Sequence, residues 1–442
     1  MTEYFQVAAY EVPVRYKPDV CIIGAGPAGV AAAVAAARQN LSVLLIEKYG
    51  FSGGATVAGL SGTICGLFSS GPKPEQIVFG FANEFYTRLK QKNGVSNPVP
   101  FGNTLLVPHD SLRWKEIADG LLQEGHCNIL YHTRFLQAFT DYQGRITSLL
   151  VKGQEGQFVI KPGFVIDASG DAEVVHSISG PTFLGNNGVV QTPTMIFKMG
   201  NVDNQLFQQL SPAQLNQKVK EAALSGAYQL PRHHVYVFPL PNSGEVLCNM
   251  TKITYPDGRI PLGIDSADLS FAEIEGRKQA REYARFLINE IPAFRNAYLS
   301  DTGAQVGIRQ TRSILGKGKL LNEDVMQARK NKNAITHSAW PMEIHNTGEV
   351  TIVQLENDYY DILFETLVPQ NATNYLVAGR CMSAEHEALA SARVTAQCFG
   401  MGYAAGAACG LMLHEKQEAK NLDGVMVKQW MKQQHLKDTH EP

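Results

Sequence analysis

The chain has 442 residues, 44% hydrophobic and 18% charged, which fits a globular protein with a sizeable core and room for two domains. A formal net charge of −2 gives no electrostatic footprint for nucleic acid or a membrane surface. Seven cysteines, an odd number with no Cys-x-x-Cys pair, argue against a disulfide framework, a zinc ribbon or iron–sulfur ligation.

Residues 1–17 read as an arm leading into the first strand. Val20-Cys21-Ile22-Ile23 is apolar and β-prone, as a buried parallel strand requires. It runs into Gly24-Ala25-Gly26-Pro27-Ala28-Gly29, a dinucleotide fingerprint. Gly24 permits the tight turn, Gly26 lets a pyrophosphate approach the backbone, and Gly29 lets helix and strand pack closely. The Ala-rich helix after it, to about Asn40, aims its positive end at the phosphates. A second strand, 42–46, ends in Glu47, about where a carboxylate takes an adenosine ribose hydroxyl. Gly53-Gly54 lets backbone run against a ligand surface.

Positions 76–92 carry Ile77, Phe81, Phe85 and Leu89 at helical spacing. Asp110 and Ser111 cap a helix to about Glu124, stopped by Gly125. Strands are expected at 128–132, 135–141, 146–152 and 157–161, with a hairpin turn at Gln143-Gly144. Another buried strand, 164–167, runs into Ala168-Ser169-Gly170-Asp171. From 181 to 370 the pattern mixes strands (234–238 and 245–253) with helices (211–224 and about 267–290), as an inserted substrate domain would. Positions 374–379 return to a short apolar strand ending in glycine, 381–391 read as a loop, and 392–413 as a helix of small residues. Gly400, Gly402, Gly406 and Gly410 on that helix imply close packing against a strand or a cofactor. Positions 416–442 form a polar tail, a surface helix or a frayed end.

There is no second strand-linked Gly-x-Gly-x-x-Gly and no cysteine pair after Gly54, which argues against a separate NAD(P)H domain and a dithiol relay. Arg309 and Arg312, three apart, suit a forked grip on a substrate carboxylate, or else pair with acids that hold two domains together. His337 and His345 are candidate bases or satisfied loop histidines. Trp340 stacks on substrate or fills core, and His109 reads as structural. His233-His234 lacks a sensibly spaced third ligand, so no metal site is expected. No charged-then-apolar leader and no apolar run of 18 residues is visible, so a cytoplasmic location without an integral membrane segment is the expectation.

Positions 10–13, 19–29, 36–38, 44–47, 49–56, 166–171 and 307–316 carry a family resemblance. It is most specific at Leu376-Val377-Ala378-Gly379-Arg380-Cys381-Met382-Ser383-Ala384-Glu385-His386-Glu387-Ala388-Leu389, with Ser391, Arg393, Cys398 and Gly402 to Gly406. Together these resemble the FAD-dependent oxidoreductases of the glutathione-reductase-like superfamily. Within it the chain looks like a group of bacterial flavoproteins related more distantly to fumarate reductase flavoproteins. The chain departs from the family pattern at Tyr403 and at Phe364-Glu365.

The resemblance implies an α/β fold: a Rossmann-type FAD-binding domain (1–180 and 371–415) with an inserted α+β substrate domain (181–370). It implies non-covalent FAD, since positions 52–60 hold no histidine for attachment, with Cys65 as the one exception to weigh. The implied cofactor contacts are Gly24, Gly26, Pro27, Ala28, Gly29, Glu47, Lys48, Gly53, Gly54, Thr56, Phe135, Ala168, Ser169, Gly170, Gly379, Arg380, Arg393 and Val394. The helix starting near Arg393 would turn its N-terminus, with that guanidinium, toward the flavin pyrimidine edge. His386 would serve as a base, or as a loop histidine bonded to backbone. The implied reaction is hydride transfer from a small organic substrate (C–OH, C–N or activated C–C) to flavin, reoxidised by oxygen, a quinone or another acceptor. A flavin monooxygenase using NAD(P)H and a non-catalytic redox sensor are the alternatives. The oligomeric state is left open.

Overall fold

Five short strands form a parallel sheet in the order Tyr375–Val377, Phe164–Asp167, Val20–Ile23, Val43–Ile46, Asn128–Leu130. The structure is a computed structural model that describes residues 10–434 except 346, 347 and 349. Residues 1–9 of the expected arm and 435–442 of the expected tail lie outside the described residues. The central strands are buried throughout, which is why they read as unbroken apolar runs rather than alternating ones. Their register aligns the carboxyl ends: Ile23 pairs with both Asp167 and Ile46, and Asp167 with Val377. The chain therefore leaves the sheet at one rim through Gly24, Glu47, Ala168 and Ala378. Open parallel sheets bind ligands at that rim.

The first helix, Pro27–Ala37, lies against a second helix, Thr395–Glu415. The glycines of the second helix make that contact close. A Cβ on Gly402 or Gly406 would stand 2.0 or 2.3 Å from the carbonyl oxygens of Ala28 and Ala32, respectively, while Gly400 faces Thr336 in the strand Ala334–Ser338. Thr395–Glu415 is long and apolar enough to cross a membrane by length and composition, yet it is packed inside the protein.

Several expectations shift. Part of the arm is a strand, Val14–Tyr16, paired in parallel with Gly156–Ile160 at the edge of a second sheet that continues through Ile146–Gly153 to Arg134–Thr140. The stretch 381–391 is not all loop, because His386–Ala392 is helical. Asn322 holds its start, accepting the Ala388 amide at 2.9 Å and donating to Glu387 at 2.6 Å. The long helix begins at Thr395 rather than 392, since Val394 is extended (ψ 168°) and breaks the two helices apart. The tail is anchored: Ala419, Leu422 and Val427 are buried, and Trp430 on the helix Gly424–Gln434 donates to Gln39 at 2.6 Å.

A four-stranded antiparallel sheet (Tyr236–Pro239, Val246–Asn249, Phe197–Gly200, Tyr298–Thr302) accompanies the 25-residue helix Ser266–Glu290. It has its own core, running from Met195 to Val306 and including Phe197, Tyr283, Phe286 and Phe294. Ile314, Leu320, Tyr360 and Leu367, although inside the 181–370 span, pack into the core of the parallel sheet.

Candidate active site

The aligned strand ends open onto a cavity of about 780 Å³, within the ~300–1,000 Å³ typical of ligand sites. At its base Gly24 takes φ +99°, and a Cβ there would stand 2.6 Å from the Ala168 carbonyl oxygen. Gly26 is different: its nearest neighbour to an added Cβ is Gly54 Cα at 3.8 Å, so the backbone is bare on the cavity side. The helix Pro27–Ala37 has Gly26 at its N-cap and no side-chain cap, leaving amide donors free for an anion.

Glu47 is buried, and burial pushes its pKa up against the pull of backbone amides. Its carboxylate accepts from Ala25 N at 2.7 Å and Tyr49 N at 2.9 Å, which ties the glycine turn to the end of the second strand. A carboxylate has about four lone-pair sites, so acceptor capacity remains for a ligand hydroxyl. Asp167 organises the third wall: it accepts from Ser169 Oγ at 2.6 Å and Val174 N at 2.8 Å. Asp171 accepts from Thr311 at 2.6 Å and Arg380 at 2.8 Å.

Of the residues singled out in the sequence, Gly24, Gly26, Pro27, Ala28, Glu47, Lys48, Gly54, Thr56, Phe135, Ala168, Ser169, Gly170, Arg312, Gly379, Arg380, Arg393 and Val394 all line this cavity. Gly29 and Gly53 stand behind the wall. Gly29 packs on the Gly24 carbonyl, and Gly53 donates to Ala25 O at 2.7 Å. His386 and Arg309 are buried off the wall. The two arginines therefore separate: Arg312 faces the cavity near Asp171, while Arg309 donates to the Thr192 carbonyl. His337 pairs with Asp361 at 2.6 Å away from the cavity. His345 is buried against Glu343 at 3.0 Å, and burial takes it down to about 3, so it is neutral at pH 7. Trp340 is buried and stacks on Phe101 at 4.6 Å, the core reading. His109 is buried and pushed down to about 4 by desolvation. No group of three metal-ligating side chains stands together among the described residues.

Also on the wall, Arg393 and Val394 sit between the helices His386–Ala392 and Thr395–Glu415, and the latter, which has no side-chain cap, starts at the cavity. Burial lowers Arg393 to about 10; its Nη2 donates to Gln191 at 3.2 Å, and its Nε has no partner. Cys65 and Cys398 line the wall near Arg393, their thiols pushed up to about 12 by burial. The sequence motifs do not include Arg134, Glu173, His176 or the 263–269 stretch, all on the wall. Glu173 and His176 come directly after the 168–171 turn and were within reach; nothing in the pattern marked 263–269.

These features fit a dinucleotide: a bare glycine turn under an uncapped helix, a buried carboxylate with spare acceptor sites, and an orphaned guanidinium nitrogen on the same cavity. The chain belongs to the FAD dependent oxidoreductase family, whose sequence profile matches residues 19–433. It is thus an oxidoreductase with FAD as its cofactor. No curated protein matches the chain. Among solved structures it is similar to the flavin-dependent brominase Bmp2, at 13% identity over 94% of this chain and 83% of that one, with a TM-score of 0.49. It is also similar to the OxyS anhydrotetracycline hydroxylase from Streptomyces rimosus, at 11% identity over 95% and 69%, with a TM-score of 0.45. For THI4 of Thermovibrio ammonificans the figures are 19% identity, 37% and 62%, and 0.28; the match spans less than two thirds of that protein's length.

Proposed function

We propose that the chain is a dehydrogenase or oxidase that takes a hydride from a small organic molecule at a C–OH, C–N or activated C–C bond. Oxygen, a quinone or another carrier would then take the electrons. The observation that carries this reading is that one cavity is lined both by a phosphate-suited glycine turn and by Arg393 with a second helix start. FAD, when bound, supplies the two-electron acceptor. The amides at Gly24–Gly26 and the start of Pro27–Ala37 hold its diphosphate, and Glu47 accepts from the adenosine ribose. Lys48 and Phe135 flank that end; Gly54, Thr56, Ala168, Ser169, Gly170, Gly379 and Arg380 run along the middle. Arg393, Val394 and the free amides after them hold negative charge at the pyrimidine edge. No bond to FAD is needed in this arrangement.

The strand order supports a Rossmann-type, glutathione-reductase-like body that carries FAD. The core running from Met195 to Val306 supports a covering substrate domain, narrower than 181–370. His386 remains the candidate base. Its carbonyl accepts from Gln191, the residue that Arg393 contacts, and its Nδ1 has no partner.

The test is anaerobic mixing of the yellow protein with a panel of alcohols, amines and acids, and separately with NADH and NADPH. Bleaching by an organic substrate and not by nicotinamides supports the reading. Bleaching by nicotinamides alone turns it toward a monooxygenase, and a protein that neither carries nor binds FAD overturns it.

A further inference from the structure

Arg393 belongs to a buried cationic cluster whose other members the FAD reading does not use. Arg309 is 7% exposed, and its Nη1 donates to the Thr192 carbonyl at 2.6 Å. Gln191, the preceding residue, accepts from Arg393, so the two guanidiniums are linked through two consecutive positions. Arg232 is also buried; it donates to Asn249 at 2.9 Å and lies over the Tyr236 ring at 5.3 Å. Burial, then the charges of Arg232 and Arg393, push Arg309 down.

Glu343 is the acid in this neighbourhood. Burial alone would raise its pKa, but His345, Arg232 and Arg309 hold it down at about 2. Its direct partner is His345 at 3.0 Å. Among the described residues, neither Arg309 nor Arg393 has a carboxylate within 4.0 Å. One carboxylate, Glu343, faces three guanidiniums, so the cluster keeps an excess of buried positive charge, which is costly and which an anionic ligand would offset. Arg393 has a claim on the flavin; Arg309, one step further in, has none.

We propose that this region binds the carboxylate of the substrate between Arg309 and Arg393, with the Tyr236 hydroxyl as a third donor. That hydroxyl is buried without a partner, in the electrostatic reach of Arg232, Arg309 and Glu343. The remainder of the substrate lies toward Cys65 and Val394, which line the cavity and are backed by the apolar cluster of Leu60, Phe101 and Trp340. The substrate class is therefore a small organic carboxylate, and the inference rests on the FAD reading for the reacting end.

The FAD-loaded protein is titrated with acetate, glycolate and succinate, against acetamide and chloride at constant ionic strength. Heat and the flavin absorption band are followed together. At least one carboxylate binds saturably, acetamide does not, and Arg309→Met weakens the binding at least tenfold at unchanged FAD content. Absence of carboxylate binding, equal binding of acetamide, or an unaffected Arg309→Met variant overturns the proposal. Should Arg309→Met fail to fold, Glu343→Gln decides: loss of the competing negative charge tightens carboxylate binding several-fold, and unchanged or weaker binding overturns the proposal. Protein that carries no FAD counts against the earlier reading instead, and the heat signal still reports whether the carboxylate binds.

Discussion

A Cβ on Gly402 would stand 2.0 Å from the carbonyl oxygen of Ala28, so the helices Pro27–Ala37 and Thr395–Glu415 meet backbone to backbone. Both helices start at the cavity, and this contact sets the spacing of their N-termini. Gly402→Ala tests it with opposing effects. Alanine gains about 1 kcal/mol of helix propensity. Overpacking against a rigid carbonyl costs about 1–3 kcal/mol, and that term wins because backbone on both sides cannot rotate away. The variant is less stable in urea than the parent and retains less FAD. Equal or higher stability would show that the helices can separate freely.

That Thr395–Glu415 packs closely was legible because four glycines weaken a helical stretch unless close packing offsets the loss. Its partner was not, for the expected strand or cofactor proves at Gly402 and Gly406 to be the helix Pro27–Ala37. The glycine turn and Glu47 were legible because each residue type there answers a local steric or charge requirement. The capped helix Ser111–Glu124 was legible for the same reason: Asp110 accepts the Arg113 amide at 2.8 Å. What escaped depends on distant partners. The break at Arg393 and Val394 lies inside an Ala-rich run that propensity joins into the next helix, and the capping of His386–Ala392 comes from Asn322, far away in sequence. Arg312 opens the short strand Arg312–Ile314 and lines the cavity, whereas Arg309 lies ahead of that strand and is held by the Thr192 carbonyl, a partner far away in sequence. Ile314, Leu320, Tyr360 and Leu367 fall within the expected 181–370 span but pack on the first core, a matter of tertiary contact that composition does not encode.

Glu47→Gln keeps the size and removes the charge. The carboxylate accepts two amides, Ala25 at 2.7 Å and Tyr49 at 2.9 Å. A carboxamide accepts with one oxygen only, and its NH₂ group would face the other amide, donor against donor. Leaving one buried donor unmet costs about 1–3 kcal/mol, and this strain falls on the turn that carries Gly24 and Gly26. FAD binding weakens by about tenfold or more, read from cofactor fluorescence on titration into apoprotein. Unchanged affinity would show that the turn holds without Glu47.

Glu173 lines the cavity, and burial, then Asp171, push it up to about 7. The unfolded chain releases this proton near pH ~4.3. Between these values the native state holds a proton that the unfolded state has lost, so this group's contribution to stability falls as pH rises from about 4.3 to 7. Glu173→Gln removes the effect. Its apoprotein has a flatter dependence of urea midpoint on pH across that window. At pH 8 it is more stable than the parent by about 1–2 kcal/mol, allowing for the group's partial exposure. A variant with the parental slope would place the titration elsewhere.

Arg393 stands at the break between two helices with its Nε unpartnered, and burial presses its guanidinium toward release of its proton, to about 10. A negative charge placed beside it relieves that pressure, and reduction of bound FAD puts such a charge at the pyrimidine edge. Arg393→Met keeps bulk and removes the cation, so the reduced cofactor loses more than the oxidised one. The midpoint potential then falls by about 30–60 mV, equivalent to ~1.4–2.8 kcal/mol for two electrons, in a dye-equilibrium titration. The free amides at the start of Thr395–Glu415 remain, so the fall is partial and FAD stays bound. A potential equal to that of the parent, with FAD fully loaded, would place the pyrimidine edge away from Arg393.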